Sequence, residues 1–298
     1  MDHLHYCSLF RSGSVTITDV RCRPTSCACG AEEVSSNHTI ALPRSGAFVK
    51  HIGGKRVLAD CNSIMFFNGG EVYQVSHPII GGDDCTSFAF QHDILLDAVA
   101  DYEPSVRENP RVPFRVTHGP CAPHTLWLVH RLRQALRGAR QEGLAIEERA
   151  LDLLRAVVNN AYQVRGQRPI RSRFHAGSVH RERTEAAKQF LAGKFHKPLT
   201  LAEVARAVHY SPYHLARLFR REVGVPIHQY LNRLRLGAAL ERLADGCGNL
   251  TELALDLGYS SHSHFSDAFR RAFGASPSNF RDQRIAACLR QLSKNLKA

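Results

Sequence analysis

Two stretches near the end of the chain share one residue pattern. Residues 199–226 have the sequence LTLAEVARAVHYSPYHLARLFRREVGVP, and residues 249–277 have the sequence NLTELALDLGYSSHSHFSDAFRRAFGASP. The first part of the pattern recurs at an offset of 49 residues, and the part that contains Phe-Arg-Arg recurs at an offset of 50. The second copy therefore carries one inserted residue between its two parts.

Each copy contains residues that start and stop helices. Thr200 and Glu203 predict a capping box, in which the hydroxyl and the carboxylate each bind a free amide of the first turn. Ser211 and Pro212 predict the start of a second helix, and Gly224 predicts its end. Equivalent residues of the second copy are Asn249, Glu252 and Gly274. Each copy is thus predicted to be a helix-turn-helix unit, and the amphipathic segment Ile227–Leu243 is predicted to be the helix that links them.

The excess positive charge of the chain lies in the same half. The chain has 298 residues and a formal net charge of +12. Residues 1–165 carry 17 Lys and Arg against 17 Asp and Glu, whereas residues 166–298 carry 22 against 10. A basic part after a neutral part indicates a polyanion-binding module joined to a module with another task. Charge alone leaves a solvated basic surface as the alternative.

Three segments of this half carry a resemblance to a known family. They are SPYHLARLFRREVG (211–224), YLNRLRLGAALERL (230–243) and LTELALDLGYSSHSHFSDAFRRAFGASPSNFR (250–281). On these segments, Arg183–Arg284 resembles the DNA-binding domain of the AraC/XylS family of transcription regulators. The resemblance implies a cytoplasmic protein that binds double-stranded promoter DNA, contacts RNA polymerase, forms a homodimer and acts more often as an activator.

In that family the second helix of each unit enters the major groove, and this identifies the predicted DNA-binding residues by position. They are Tyr213, His214, Arg217, Arg220, Arg221, His262, Ser263, His264, Arg270 and Arg271, with Arg206, Arg233, Arg235 and Arg281 as further candidates. Arg217 is the best base reader, because a guanidinium can pair with O6 and N7 of guanine. Asp267 departs from the family, in which a basic residue is common at this position. The Arg-Arg pairs are predicted to contact phosphates, with solvated surface or helix-dipole support as the alternative.

The first third of the chain has the composition of short β-strands. The predicted strands are Ser14–Val20, His38–Leu42, Ala47–His51, Lys55–Ala59, Ser63–Phe67 and Glu71–Ser76, separated by Gly, Pro and Asn, including Pro43. Gly53-Gly54 predicts a hairpin turn. The segments HTIALPRSGAFVKH, MFFNGGEVYQVSHP and GGDDCTSFAF resemble the cupin-like sensory domain of the same family. The fold class is therefore predicted to be α+β, with a cupin-like β-barrel over about residues 1–122.

Residues 123–165 show helical periodicity. One apolar stripe contains Leu126, Val129 and Leu132, and a second contains Leu151, Leu154 and Val157. These helices either pack on the chain's own barrel or form a dimer seam. Residues 1–165 are thus expected to form the sensory domain, 166–182 an exposed basic linker, 183–284 the DNA-binding domain and 285–298 a helical tail.

The sequence offers few residues for a ligand or for catalysis. His38, Arg44, Phe66 and Tyr73 are predicted to line a barrel mouth that binds a small-molecule effector, since Arg44 suits a carboxylate. Nine cysteines, seven of them before residue 122, are expected to be reduced and mostly buried and inert.

Metal binding and catalysis have weaker support. Cys22, Cys27 and Cys29 do not have a standard zinc spacing and are weak candidates for metal or thiol-redox sensing. No H-x-H pair lies among the predicted strands, and His38, His51 and His77 stand isolated. A cupin-type metalloenzyme with a DNA-binding tail is therefore the less favoured alternative. We expect a regulator that is not an enzyme, needs no cofactor and, lacking a long apolar run or an export signal, has no membrane partner.

Overall fold

The computed structural model describes residues 4–26, 28–79, 81–137, 143–166, 176–246 and 248–281. Antiparallel sheets form the N-terminal half and helices form the C-terminal half, so the mixed class predicted from the sequence is observed. The predicted tail 285–298 and most of the predicted linker lie outside these residues. Among the described helices, none combines the length and the apolar character that a membrane span requires.

The strands of the described residues form two sheets. The strands are β1 (Leu4–Arg11), β2 (Val15–Cys22), β3 (Glu33–Val34), β4 (Thr39–Gly46), β5 (Phe48–Ile52), β6 (Lys55–Ala59), β7 (Ser63–Phe67), β8 (Val72–Ser76), β9 (Asp83–Phe90) and β10 (His118–Pro120). The first sheet has the order β1-β2-β9-β4-β7-β10, and the second has the order β3-β8-β5-β6. Within the described ranges the strands do not close into a single barrel, because β1 and β10 remain edges of one sheet and β3 and β6 remain edges of the other.

Local features of these strands follow from their residues. In β2, Val15 and Ile17 alternate with more exposed residues, so one face of the strand packs into the core. The Gly53-Gly54 turn is confirmed, because Ile52 pairs with Lys55 and both glycines have positive φ, 52° and 72°. Pro43 does not end its strand as predicted. It lies within β4, where the pairing with β9 shifts register between Pro43 and Ser45, and such irregularities accommodate proline in a sheet.

Except for the first helix and a short 3-10 turn, the helices follow the strands along the chain. They are α1 (His92–Ala100), α2 (Pro123–Leu136), α3 (Gly143–Gly166), α4 (Ala176–Lys194), α5 (Leu201–Ala207), α6 (Pro212–Val223), α7 (Ile227–Ala244), α8 (Leu250–Asp256) and α9 (His262–Phe273), with a short 3-10 turn at Pro104–Arg107. Helix α4 begins within the segment 166–182, which the sequence predicts to be an exposed basic linker. The backbone from residue 176 onward is therefore helical before the predicted domain begins.

Helices α2 and α3 pack into the chain's own core. Val129 of α2 and Val157 of α3 are buried, which favours packing over a dimer seam for these faces. Leu151 was assigned to the apolar stripe of α3 but is 37% exposed, whereas Leu153 is 1% exposed. Among the described side chains of α3, the buried ones are Ile146, Ala150, Leu153, Leu154, Val157, Val158, Ala161 and Tyr162. Leu151 lies outside this stripe, which follows the three- and four-residue spacing of a helix.

Candidate nucleic-acid interface

The two helix-turn-helix units begin with similar caps. In the first unit, formed by α5 and α6, Thr200 Oγ1 accepts a hydrogen bond from the Glu203 amide at 3.2 Å, and Glu203 Oε2 accepts one from the Thr200 amide at 2.7 Å. In the second unit, formed by α8 and α9, Asn249 Oδ1 accepts from the amides of Thr251 and Glu252, each at 3.1 Å. The predicted helix starts are confirmed.

The second helices of the two units match in length and in both ends. Helices α6 and α9 each have 12 residues. Ser211 Oγ accepts from the His214 amide at 3.3 Å, and Ser261 Oγ accepts from the His264 amide at 3.2 Å. Gly224 and its counterpart at position 274 end the helices in the left-handed region, with φ of 85° and 75°. The pattern of residues thus produces two copies of one local structure.

The same positions are buried in both helices. Leu215, Leu218 and Phe219 of α6 are buried, and so are Phe265, Ala268 and Phe269 of α9 at an offset of 50. The opposite face is exposed in both copies and contains Tyr213, His214 and Arg217 in α6 and Ser263, His264 and Asp267 in α9. The structure therefore places most predicted base-reading residues on one solvent-facing side of each helix, while His262 is only half-buried there.

Neighbouring side chains orient the polar groups of this exposed face. Arg217 donates to the hydroxyl of Tyr213 at 3.4 Å, and its guanidinium lies 5.6 Å from the centre of that ring. A guanidinium has five N–H donors, so this bond leaves others to meet a base edge. His214 Nδ1 lies 2.8 Å from Ser211 Oγ. His264 Nδ1 lies 3.2 Å from Ser260 Oγ, and the ring is therefore held in a similar way.

Arginines at the C-terminal ends of the two helices are exposed. These residues are Arg220, Arg221, Arg270 and Arg271. Arg221 donates to Glu222 at 2.9 Å, and Arg271 donates to the carbonyl oxygen of Asp267 at 3.2 Å. Their positions fit phosphate contact and also fit favourable interaction with the helix dipole.

Arg235 has a structural role instead. It donates to the carbonyl oxygens of Phe195 at 2.8 Å and Lys197 at 2.9 Å, so it fixes the connection between α4 and α5. Arg235 and Arg233 are both partly buried, and this burial lowers the pKa of each.

The structure places the four predicted effector residues in different surroundings. Phe66 packs against another core ring at 4.9 Å, and His38 Nδ1 accepts from a backbone amide of the loop after β7 at 3.0 Å. Tyr73 lines a concavity of about 450 Å³ beside the β5–β6 hairpin, which the other three do not line. Effector binding at these residues stays a prediction.

Arg44 belongs to a buried ion cluster between the two halves of the chain. It contacts Asp19 of β2 and Glu241 of α7, each at 2.5 Å. Arg133 of α2 contacts the same Glu241 at 3.1 Å and Asp19 at 3.9 Å. Burial lowers the pKa of Arg44, but Glu241 and Asp19 outweigh this and raise it above the ordinary arginine value. Two cations and two anions therefore join the sheets to the helix that links the helix-turn-helix units.

A second buried contact joins the same two parts. The hydroxyl of Tyr230, on α7, donates to Asp60, which follows β6. Burial raises the pKa of Asp60 and that of Tyr230. The sequence does not predict the roles of Asp19, Asp60 and Glu241, because their partners lie up to 197 residues away. The sequence feature that could have indicated such a buried ion pair is an acidic side chain on an otherwise apolar strand face, as at Asp19 in β2.

The predicted cysteine candidates lie in different surroundings. Cys29 is exposed, and Cys27 lies outside the described residues. Cys22 lies close to His77 and Asp83. Burial raises the pKa of Cys61 and Cys85 well above the ordinary value and that of Cys121 to about 12, so these thiols stay protonated at neutral pH. The last three match the expectation of buried, unreactive thiols.

Comparison with known proteins is consistent with these two units. Residues 204–283 match a family described as a helix-turn-helix domain. The chain is 35% identical over 85 residues to the regulatory protein SoxS of Salmonella typhimurium, covering 28% of this chain and 79% of SoxS. It is 31% identical over 147 residues to the transcriptional regulator ArgR of Pseudomonas aeruginosa, covering 49% of this chain and 42% of ArgR. It thus spans less than half of ArgR, and it spans 34% of the regulatory protein PocR of Salmonella typhimurium.

Solved structures give a weaker comparison. A transcriptional regulator with an AraC-type DNA-binding domain, from Chromobacterium violaceum, is 30% identical to this chain. The alignment covers 37% of this chain and 96% of the Chromobacterium chain, with a TM-score of 0.33. ToxT from Vibrio cholerae covers 91% of this chain and 97% of that one at 11% identity, with a TM-score of 0.38, which is too low to support an argument about the N-terminal half. The curated relatives named above are regulators, which gives no support to a metalloenzyme. On the match to SoxS and the paired helix-turn-helix units, the chain belongs to the AraC/XylS family of transcriptional regulators.

Proposed function

We propose that this protein regulates transcription by binding promoter DNA with α6 and α9. The observation that carries the proposal is the repetition of one local structure: equal length, equivalent caps, equivalent buried positions and equivalent exposed positions. A helix of this kind, exposed along one side and held by a shorter helix before it, is the form in which helix-turn-helix proteins enter the major groove.

Charge and spacing support this proposal. Residues 166–298 carry the whole net charge of +12, which favours association with the phosphate backbone. The two units are joined by the 18-residue helix α7, which spans about 27 Å. Two recognition helices on successive major grooves require a separation of about 34 Å, and a rigid connection of this length suits that arrangement.

The N-terminal half is proposed to be a cupin-like sensory domain over residues 1–165, with the DNA-binding domain at 183–284. When β1 and β10 are set aside, the two sheets have the orders β2-β9-β4-β7 and β3-β8-β5-β6. Eight antiparallel strands in two four-stranded sheets are typical of jelly rolls, the architecture that includes cupins.

The ion cluster gives this sensory half a route to the DNA-binding half. The gap beside Arg44, Gly237 and Glu241 is about 10 Å³, which holds about one water molecule. A carboxylate effector that binds Arg44 therefore has to displace Glu241 or Asp19. Such a ligand changes the balance between two arrangements of the halves only by its difference in affinity for them.

Further properties are proposed from the family and from relatives. Activation through contact with RNA polymerase is proposed because one relative, AarP of Providencia stuartii, is named as a transcriptional activator and is 30% identical over 92 residues, 68% of its length. A homodimer and a cytoplasmic location, where promoter DNA is accessible, belong to the same proposal.

The test is selection of genomic DNA fragments by the purified full chain in vitro. We expect discrete promoter sites with a two-part motif whose centres lie about 10 base pairs apart, and affinity that falls steeply as salt rises. Diffuse, salt-sensitive binding without a motif would contradict sequence-specific regulation.

A further inference from the structure

The N-terminal half brings three metal-ligating side chains together from distant positions in the sequence. Cys22, at the end of β2, pairs directly opposite Asp83, at the start of β9. His77 follows β8, which belongs to the other sheet. One ligand atom of each residue lies within 4.8 Å of the other two. The cluster therefore joins the two sheets at one end.

Hydrogen bonds orient the carboxylate at the centre of this cluster. His77 Nε2 lies 2.8 Å from one Asp83 oxygen, and the Cys85 thiol donates to the other at 3.0 Å. Each carboxylate oxygen of Asp83 thus has a defined neighbour. The Cys85 contact is of the kind that holds a ligating carboxylate, whereas the proton shared between His77 and Asp83 is released when both residues bind one metal ion.

The cluster is buried and remains reachable. His77 is 7% exposed and Asp83 is 5% exposed, whereas Cys22 is partly exposed. Clusters of exposed acidic residues are common without a bound ion, whereas this set combines a thiol, an imidazole and a carboxylate and is largely withdrawn from water. The open side at Cys22 provides the entry path that a metal requires.

The backbone segments that carry Cys22 and Asp83 lie unusually close together. Gly82 has a φ of 74°, and a Cβ at this position would lie 1.9 Å from the carbonyl oxygen of Cys22. Only glycine permits the turn before Asp83 to lie on the strand that carries Cys22. Arg23 donates to the carbonyl oxygens of both Cys22 and Asp83, at 2.9 Å and 3.0 Å, and so braces the two strands.

We propose that Cys22, His77 and Asp83 form a Zn²⁺ site. A thiolate, a carboxylate and a neutral imidazole supply two negative charges, which balance the dication in a buried position. Sulfur, nitrogen and oxygen donors from Cys, His and Asp are the set that zinc accepts, and three protein ligands leave its fourth tetrahedral position to solvent. Cys85 positions Asp83 and is not itself a ligand.

The site adjoins the ion cluster between the two halves. Asp84, the residue after Asp83, accepts from Ser45 Oγ at 2.9 Å, and Ser45 follows Arg44 in β4. A metal bound at Asp83 is therefore connected to the Arg44–Glu241 contact through Asp84 and Ser45. Zinc binding itself does not depend on the proposed DNA-binding function, and its test requires no DNA.

The experiment measures metal binding by the reduced full chain after chelator treatment. We expect one Zn²⁺ per chain, and we expect Co²⁺ to give a thiolate-to-metal charge-transfer band that Zn²⁺ abolishes. The Cys22→Ser variant should lose this band. Replacing a residue that only positions a metal ligand typically weakens metal binding roughly ten- to hundred-fold. His77→Gln and Asp83→Asn should weaken zinc binding by more than this. Cys85→Ser should weaken zinc binding within this range and keep the charge-transfer band.

Two exposed cysteines provide matched controls. Cys7→Ser and Cys29→Ser should bind one zinc with unchanged affinity, because both side chains are exposed and neither belongs to the cluster. Zinc should also raise the Tm of the wild-type chain and of both controls, but not that of Cys22→Ser.

The proposal is overturned if the wild-type chain gives no charge-transfer band with Co²⁺. It is also overturned if a folded Cys22→Ser chain binds zinc as the wild type does, or if Cys29→Ser loses binding to the same extent. Where a variant fails to fold, the absence of the band in the wild-type chain still overturns the proposal.

Discussion

The two recognition helices differ in charge at one equivalent residue. Arg217 of α6 and Asp267 of α9 are both exposed and occupy the same position of the repeat. A guanidinium donates hydrogen bonds, for example to guanine, whereas a carboxylate accepts them, for example from cytosine N4. The two units are therefore expected to prefer different bases, and the proposed DNA site is expected to be asymmetric.

Arg270 is expected to bind phosphate without selecting sequence. The Arg270→Ala variant should weaken binding to all DNA sequences about equally and reduce the slope of log affinity against log salt by about 1. Arg107→Ala is the control, since Arg107 is an exposed arginine of the N-terminal half that pairs with Asp97. Fluorescence anisotropy across a series of salt concentrations measures the affinity and the salt slope of each variant. Loss at only one base position would show that Arg270 selects sequence.

His38 is expected to make stability depend on pH. Burial, and then the neighbouring His92, lowers its pKa below the ordinary value of 6.5. The unfolded chain therefore binds a proton at His38 more tightly than the folded chain does. The contribution of neutral His38 to the free energy of unfolding is present above about pH 6.5 and is lost as the pH falls through the folded-state pKa. Urea midpoints measured from pH 8 to pH 5 should fall less for His38→Gln than for the wild type. Equal slopes would refute this assignment.

At the scale of elements, the sequence predicts whatever depends on local residues. The caps at Thr200, Ser211 and Asn249 and the Gly53-Gly54 hairpin are formed by neighbours in the chain, and the structure confirms them. Sheet order depends on pairings across tens of residues, so the local sequence does not predict the strands β1, β3, β9 and β10. Pro43 was misassigned because strand register, which the local sequence does not show, allows a proline at an irregular pair.

The turn of the second unit depends on Gly258. This residue has a φ of 81°, and a Cβ would lie 2.9 Å from both Arg235 Nη2 and the His196 carbonyl oxygen. Gly258→Ala is therefore expected to lower the free energy of unfolding by about 1–2 kcal/mol, measured by urea denaturation. Gly13→Ala is the control, because a Cβ there meets no heavy atom within 4 Å, and it should change stability by less than about 0.5 kcal/mol. Similar losses in both variants would contradict the structural argument.

At the scale of the whole molecule, the two halves are joined by buried polar contacts. The Arg44 prediction shows why the sequence does not reveal them. The sequence indicates a cation suited to a carboxylate, but the carboxylates that Arg44 contacts belong to Asp19 and to Glu241, which is 197 residues away. A charge can be identified from the sequence as requiring a partner, whereas the identity of that partner depends on the tertiary fold.

Glu241 is expected to stabilise the joined arrangement. Glu241→Gln leaves Arg44 and Arg133, whose side chains are 6% and 7% exposed, with a single buried anion. We expect the free energy of unfolding to fall by about 3 kcal/mol, the lower end for a broken buried pair, because Glu241 is itself 20% exposed. Asp256→Asn, which breaks an exposed pair with Arg242, should cost less than about 1 kcal/mol in the same urea titration. Equal costs would show that the buried cluster does not hold the halves together.

The central claim is that α6 and α9 each read a separate part of one DNA site. The most direct measurement is the affinity of the wild type, Arg217→Ala and His264→Ala for every single-base variant of a selected site. We predict that Arg217→Ala loses about 1–3 kcal/mol of preference in one part of the motif and keeps the other part, and that His264→Ala does the reverse. Loss at the same positions in both variants, or an equal loss on all sequences, would contradict the claim.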